Sequence, residues 1–166
     1  MDERTITWRH VVWGVAGLLI GALATIALLA LAAPGLMIKE HRSPYDLAAT
    51  VQAIVTNAAN RGWKVSKIHD FREALARPVE PKLAPIQVVE LCQPDYAHEL
   101  LQSGRNRFVA TMMRCAVAVY EKEDGKVYVA STNVGLMGRL FGGEIRTAMD
   151  RVARDNGEIL KFLAAH

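Results

Sequence analysis

The side chains of this chain that are best suited to chemistry are the thiols of its two cysteines, Cys92 and Cys115. They are separated by 22 residues, so neither the Cys-x-x-Cys redox spacing nor a zinc-knuckle spacing occurs in the sequence. Four interpretations are open. In an oxidising compartment an even pair of cysteines favours a disulfide. The others are two buried thiols that act as small hydrophobic residues, a soft-metal or haem-iron site, and a catalytic thiolate.

A soft-metal site would need further ligands, and the sequence offers both thioether and imidazole groups. Met112 and Met113 stand just before Cys115, and His69 follows an earlier predicted strand. Thiolates and thioethers suit Cu(I), and imidazole can complete its coordination. Cys92, Cys115, His69 and Met113 are therefore the candidate ligands, with copper or haem iron as the candidate metal. Because Met112 and Met113 are neighbours on a predicted strand, their side chains should leave opposite faces, and at most one can join Cys115.

The polar residues near these groups also have simpler roles. His69 and Asp70 stand at a predicted strand-to-helix junction, where such residues cap a backbone more often than they bind a metal. Glu90 alternates with apolar neighbours and is expected to point outward. His98 lies on an amphipathic helix and is expected to face solvent.

The sequence motifs of several common enzyme classes are absent. The segment GLMGRLFGG, residues 135–143, has neither the Gly-Lys-Ser/Thr ending of a phosphate-binding loop nor the spacing of a dinucleotide turn. A glycine-rich hinge is the better interpretation of it. The sequence also contains no His-Glu-x-x-His motif and no Ser/His/Asp order. We assign no catalytic residue and expect a protein that is not an enzyme.

A long apolar segment precedes all of these residues. Residues 11–33 contain no charged side chain and a single hydroxyl, that of Thr25, over 23 residues. A helix of that length rises about 34 Å, and the hydrocarbon core of a membrane is about 30 Å thick. Trp8 and Trp13 stand where indole rings favour the membrane interface. We expect a retained transmembrane helix, although the Ala-Leu-Ala of residues 30–32 resembles a signal-peptide cleavage site.

This segment predicts four parts of the chain. They are a tail over 1–10, the transmembrane helix over 11–33, a juxtamembrane linker or short strand over 34–42, and a folded domain over 43–166. Pro34-Gly35 is expected to end the helix. Basic residues flank the helix equally on both sides, so the positive-inside rule does not set its orientation.

The net charge of the chain and its distribution limit the kinds of partner that the protein can bind. The net charge is only +3 and basic residues are not clustered, which argues against a nucleic-acid surface. We expect the partners to be the membrane itself and either a membrane-protein complex or other copies of the chain, because predicted strand edges are exposed.

Helices and strands alternate irregularly along the remaining sequence, and one hairpin is evident at Glu123-Asp124-Gly125. This pattern predicts an α+β fold, with a mainly antiparallel sheet and helices packed on one face, plus the one N-terminal transmembrane helix. The predicted elements are a helix with Ser43 as its N-cap, a strand WKVSKI, a short helix FREALA, a loop from Pro78 to Pro85, a strand IQVVELC, a helix PDYAHELLQ, a strand FVATMMRCAVAVYEK, a strand KVYVAST and a last helix whose apolar face includes Ile145, Met149 and Ile159.

Five segments follow one another in a recognisable order: SPYDLAATV, GWKVSKIHD, VVELCQPDYAHELL, MMRCAVAVYEKEDGKVYVASTN and GLMGRLFGG. From Ser43 to Leu163 the chain thereby resembles the DUF302 family, most specifically at the turn of residues 91–94 and the strand of residues 113–121. Arg114 stands where family members often have proline, which indicates a more regular local backbone. The resemblance implies a compact α+β module that some members anchor in a membrane, and it implies no particular activity.

Taken together, these observations predict a single-pass protein of the bacterial inner membrane whose C-terminal domain lies on the periplasmic side, a side that the family resemblance favours. The expected function is that of a non-enzymatic accessory protein that binds a soft metal or haem, or uses Cys92 and Cys115 as a redox pair. The alternative is a structural or interaction module whose cysteines form a disulfide or are inert.

Overall fold

The computed structural model describes residues 3–75 and 83–165, and the chain divides into one unit up to Leu36 and another from Met37 onward. The described part of the first unit is helical and belongs to α1, Glu3–Met37, whose last residue is the first residue of the second unit. Its part His10–Met37 is long and apolar enough to cross a membrane, judged by length and composition. The hydroxyl of Thr25 donates to the carbonyl of Gly21 at 2.8 Å, so the one polar side chain in its apolar stretch is paired inside the helix.

The predicted helix end at Pro34-Gly35 is wrong, because α1 continues through Pro34 to Met37. Proline lacks the N–H that would bond the carbonyl four residues earlier. Since Pro34 lies in the last turn, the helix loses that bond near its end and then runs three residues further. The predicted strand of this region accordingly begins at Ile38.

The described residues of the second unit form five strands and five α-helices. They are, in chain order, β1 Ile38–Arg42, α2 Leu47–Ala59, β2 Lys64–Asp70, α3 Phe71–Ala74, β3 Ile86–Cys92, α4 Pro94–Leu101, β4 Cys115–Glu121, β5 Val127–Thr132, α5 Val134–Gly138 and α6 Gly143–Ile159. Two 3-10 helices, Gly104–Met112 and Lys161–Ala165, complete the unit. Most of the predicted loop from Pro78 to Pro85 lies outside the described residues.

The strands form one antiparallel sheet in the order β1-β5-β4-β3-β2, which confirms the predicted α+β class. β4 and β5 are the predicted hairpin, and Gly125 makes its turn with a φ of 68°. Such a positive φ strains other residues and suits glycine. The predicted strands IQVVELC and KVYVAST and the helix after Pro94 are likewise confirmed.

One face of the sheet carries the hydrophobic core, and we call it the inner face. Val89, Leu91, Val117, Val119 and Val129 project from it and are almost fully buried. Helices α2 and α6 pack against these side chains. The helix residues that complete this core are Val51, Ile54 and Ala58 of α2 and Ile159 of α6.

Helix α2 begins later than predicted. Its N-cap is Asp46, whose Oδ1 accepts from the N–H of Ala49 at 2.8 Å, and Ser43 is not the cap. The Ser43 N–H bonds the carbonyl of Val127 in β5, and its buried hydroxyl pairs with that of Thr50 at 2.6 Å. Ser43 therefore fixes the start of α2 to the sheet, a tertiary role that local sequence does not reveal.

The predicted strand from Phe108 is wrong in its first half. Gly104–Met112 forms a 3-10 helix, and β4 begins only at Cys115. Asn106 and Val109 on this helix are buried, and the Asn106 amide donates to Glu144 on α6 at 2.9 Å. Packing against α6 thus overrides the strand propensity of a short apolar run.

The predicted hinge at residues 135–143 is also wrong for its first part. Val134–Gly138 is the short helix α5, capped by Asn133, and it packs against α6. A Cβ placed on Gly138 would lie 2.8 Å from the Cβ of Met149. Glycine is needed here because α5 approaches α6 too closely for any side chain.

Candidate functional site

The two cysteines lie on paired strands but on opposite faces of the sheet. Cys115 faces Leu91 across β3 and β4, and both side chains point to the inner face. Cys92 is the next residue along β3 and pairs with Lys64, so alternation places its side chain on the other face, the outer face. Both thiols are free. The strands that carry the two cysteines pair with each other, but the structure does not bring the two sulfurs together as a disulfide.

The thiol of Cys115 is half-buried against the hydrophobic core. Burial, with a smaller contribution from neighbouring Cys92, raises its pKa to about 11. Because the thiolate is the reactive form, this thiol is a poor nucleophile at neutral pH. Cys92 stands just before helix α4 but is not its N-cap. The cap is Gln93, whose side chain accepts from the N–H groups of Asp95 and Tyr96 at 2.6 and 3.2 Å.

Methionines surround Cys115 on the inner side. Two cavities border it, one of about 30 Å³ and one of about 230 Å³. Four of the six methionines of the chain line one or both cavities. They are Met112, Met113, Met137 and Met149. We call Cys115 and these four residues the sulfur cluster.

Part of the sulfur cluster comes from elements that the sequence did not predict, the 3-10 helix before β4 and helix α5. Because Met112 and Met113 end a 3-10 helix, both can line the smaller cavity, and the prediction that only one could approach Cys115 is wrong. Met137 comes from α5 and Met149 from α6. Sequence reasoning missed both, although Met149 lies on the predicted apolar face of the last helix.

His69 lies apart from the sulfur cluster. Its Nε2 is 3.0 Å from Oε1 of Glu90, and Nη1 of Arg114 is 3.0 Å from the other oxygen of Glu90. The hydrogen bond from His69 and the charge of Arg114 hold the pKa of Glu90 below its usual value. Asp70 caps α3 by accepting from the N–H of Glu73 at 3.1 Å, so the predicted cap is Asp70 and not His69.

The four candidate metal ligands therefore occupy three places. His69 pairs with Val88 on the outer face, and Val88 precedes Cys92 by four residues, or about 13 Å of strand. Cys115 and Met113 instead line the smaller cavity on the inner face of the sheet. Among the described residues, no three His, Cys, Asp or Glu side chains form a group suited to a metal ion. Only the sulfur ligands Cys115 and Met113 are brought together.

A polar network holds the elements beside the sulfur cluster. Asp155 of α6 accepts from Trp63 Nε1 at 3.1 Å, from the Tyr96 hydroxyl at 3.0 Å and from Arg61 at 3.3 Å. Trp63 and Tyr96 both line the smaller cavity next to Cys115. Asp155 thus joins α6 to α4 and to the start of β2, and it fixes one wall of that cavity.

The geometry defines a small α+β domain with a five-stranded antiparallel sheet, helices on its inner face and a sulfur-rich cavity at one end of β4. The model of the family described as "Domain of unknown function DUF302" matches residues 39–163. The chain belongs to the DUF302 family. The match begins in β1 and ends in the last 3-10 helix, so it covers the second unit almost completely.

A solved structure shares this fold. The crystal structure of an uncharacterized conserved DUF302 protein from Bacillus stearothermophilus superposes with a TM-score of 0.67 at 16% sequence identity. The similarity covers 76% of this chain and 98% of that chain. No curated protein shows significant similarity to the chain. At this identity the comparison establishes the fold alone.

Proposed function

We propose that the domain is a non-enzymatic accessory module that binds a soft metal ion of the Cu(I) class at the sulfur cluster. The observation that carries this proposal is the convergence of four methionines on the cavities beside Cys115. Thiolate and thioether sulfurs are the ligands that Cu(I) prefers. Methionine side chains have three rotatable bonds and adapt readily, so modest rotations can turn their sulfurs toward an ion.

The size of the cavities favours an ion over haem. Sites for drug-sized ligands and cofactors occupy roughly 300–1,000 Å³. The two cavities beside Cys115 measure about 30 and 230 Å³. A single ion needs far less space than either a haem or an organic cofactor.

Two other uses of the cysteines fit the geometry less well. A redox pair needs two sulfurs that meet, and Cys92 and Cys115 leave opposite faces of the sheet. A catalytic thiolate needs a lowered pKa, whereas burial raises that of Cys115 to about 11. A metal ion resolves the same difficulty differently, because it displaces the thiol proton when it binds.

The proposal includes a location and a partner class. The module belongs to a single-pass protein of the bacterial inner membrane, with the domain on the periplasmic side. It works with a membrane-protein complex or with other copies of itself. The apolar helix His10–Met37 supports the membrane part, and reporter fusions at the two termini test the orientation.

The test of metal binding uses the purified full chain in mild detergent. Cu(I) is titrated anaerobically against a chromophoric chelator, and X-ray absorption measures the Cu–S contacts of the bound ion. Cys115→Ala should abolish chelator-competitive binding, and Met113→Leu should weaken it by about tenfold while nearly preserving side-chain volume. Because one thiol proton must leave, the apparent affinity should rise about tenfold per pH unit below pH 11.

Cys92→Ala is the matched control, since it removes the other thiol from the outer face. It should bind Cu(I) as the unaltered chain does, and thiol titration without reductant should find two free thiols in that unaltered chain. Equal copper binding by Cys115→Ala would refute the sulfur site. Loss of binding in Cys92→Ala, or an absence of free thiols, would restore the cysteine pair.

The second candidate is a structural or interaction module in which Cys115 is a core residue. The observation in its favour is that Cys115 packs against the main hydrophobic cluster. A chain that retains its stability but binds no copper, silver or zinc under these conditions would support this candidate.

A further inference from the structure

An open cavity of about 190 Å³ on the inner side of the sheet edge is distinct in character from the sulfur cluster. It lies between β1, β5, the last turn of α6 and the 3-10 helix Lys161–Ala165. Three basic side chains, Lys39, His41 and Lys161, line it, and no carboxylate is among the described residues that do so. Arg42 lines an adjoining cavity and lies near the carboxylate of Asp124, so it is not counted among these three groups.

These basic groups have few competing partners. Within the described residues, no ion pair involves Lys39 or His41. Lys161 is 3.4 Å from Glu158, which itself also pairs with Arg61 at 3.1 Å. The cavity therefore presents a local excess of positive charge that an anionic ligand would neutralise.

Within the described part of the chain, the cavity also contains an unpaired hydrogen-bond acceptor, the side-chain oxygen of Asn156. Asn156 lines this cavity and also the cavity of about 230 Å³ beside Cys115, and its Oδ1 is buried with no hydrogen-bond partner among the described residues. An unpaired buried amide oxygen is unfavourable, so a ligand that brings a hydroxyl or N–H group would stabilise it. The cavity thus suits a ligand that combines an anionic group with a donor.

The position of the basic residues along the chain indicates where such a ligand resides. Lys39 follows Met37, the last residue of the candidate membrane span, by two residues. An extended chain covers at most about 3.6 Å per residue, so the Lys39 backbone lies within about 7 Å of the end of that span. The abundant anions nearest to the end of a membrane span are the phosphate groups of phospholipids. Basic residues that follow a membrane-spanning helix closely bind such anionic headgroups.

We propose that this cavity binds a phosphate group, and that its source is the headgroup of an anionic phospholipid such as phosphatidylglycerol. Lys39, His41 and Lys161 contact the phosphate oxygens. A headgroup hydroxyl donates to Oδ1 of Asn156. The domain is thereby fixed against the lipid surface by a second attachment besides its helix.

The test measures binding of short-chain phosphatidylglycerol, short-chain phosphatidylcholine and inorganic phosphate to the full chain in mild detergent by native mass spectrometry. Phosphatidylglycerol should bind preferentially. Lys39→Ala and Lys161→Ala should each weaken the affinity for phosphatidylglycerol about fivefold, which corresponds to about 1 kcal/mol per lysine. The Lys39→Arg/Lys161→Arg variant should retain binding because it keeps both charges.

The matched controls are Lys64→Ala and Lys67→Ala, each of which removes one exposed lysine from β2 at the far edge of the sheet. Each lowers the net charge by one, as Lys39→Ala and Lys161→Ala do, and should leave lipid binding unchanged. Equal weakening by either control would reduce the effect to general charge attraction, and equal binding of phosphatidylcholine would show that the site has no preference for an anionic headgroup. Either result would overturn the proposal. Binding of inorganic phosphate without lipid would uphold the phosphate site and overturn its assignment to the membrane.

Discussion

The burial of Cys115 predicts that the stability of the domain falls at alkaline pH. Its thiol keeps its proton in the folded state up to a pKa of about 11, against an ordinary value of 9.0 in the unfolded chain. Between these two values the unfolded state binds fewer protons, so the free energy of unfolding decreases as the pH rises. Below pH 9 both states hold the proton, and Cys115 makes no pH-dependent contribution there.

The magnitude follows from the size of the shift. A difference of about 2 pKa units, at about 1.4 kcal/mol each, corresponds to a loss of between about 2 and 3 kcal/mol from pH 9 to pH 11. Since domains are typically stable by about 5–15 kcal/mol, this loss is measurable.

The assay is urea unfolding of the full chain in mild detergent with reductant, at several pH values from 7 to 11. Other groups also titrate in this range, and Tyr120, whose pKa burial raises to about 12, acts in the same direction. The quantity of interest is therefore the difference in unfolding free energy between the unaltered chain and Cys115→Ala. This difference should decline between pH 9 and pH 11 and should be constant below pH 9.

Cys92→Ala provides the control for this experiment. It should keep most of the alkaline loss, because burial is the larger of the two causes of the Cys115 shift. A difference between the unaltered chain and Cys115→Ala that stays constant from pH 7 to pH 11 would refute the burial of this thiol. The sulfur cluster would then have to be reconsidered.

Two further predictions concern the elements that shape the cavity. Gly138→Ala places a Cβ 2.8 Å from that of Met149 and should destabilise the domain by about 1–3 kcal/mol, seen as a lower urea midpoint; an unchanged midpoint would show that α5 moves aside freely. Asp155→Ala leaves the indole N–H of Trp63, which is 4% exposed, without its acceptor and should cost about 1–3 kcal/mol, whereas Asp155→Asn should cost less because an amide oxygen can still accept. Equal losses for the two Asp155 variants would contradict the role given to this hydrogen bond.

The sequence predicted the strands and helices whose patterns are local. The hairpin follows from Asp124-Gly125 and the alternation around it, and helix α4 follows from Pro94 at its first turn. It failed where distant contacts decide the local structure. Val109 is buried through packing against α6, so an apolar segment with strand propensity becomes a 3-10 helix.

The same division applies to the candidate site. From sequence alone, Cys115 and Met113 could be chosen as soft ligands, because the chemistry of sulfur is a property of the residue type. Which sulfurs share a face was beyond that reasoning, since a shift of one residue in strand register reverses the side on which every side chain emerges. The register of β3 against β4 places Cys92 outside and Cys115 inside.

By itself, then, the sequence determined the apolar helix, the α+β class, the family and the kinds of side chain available for chemistry. Each of these depends on composition, periodicity or motif order along the chain. The tertiary structure decided which side chains meet: it separated His69 and Cys92 from Cys115 and brought Met137 and Met149 to it. Such meetings depend on strand register and on helix packing between residues far apart in sequence, and no local pattern encodes them.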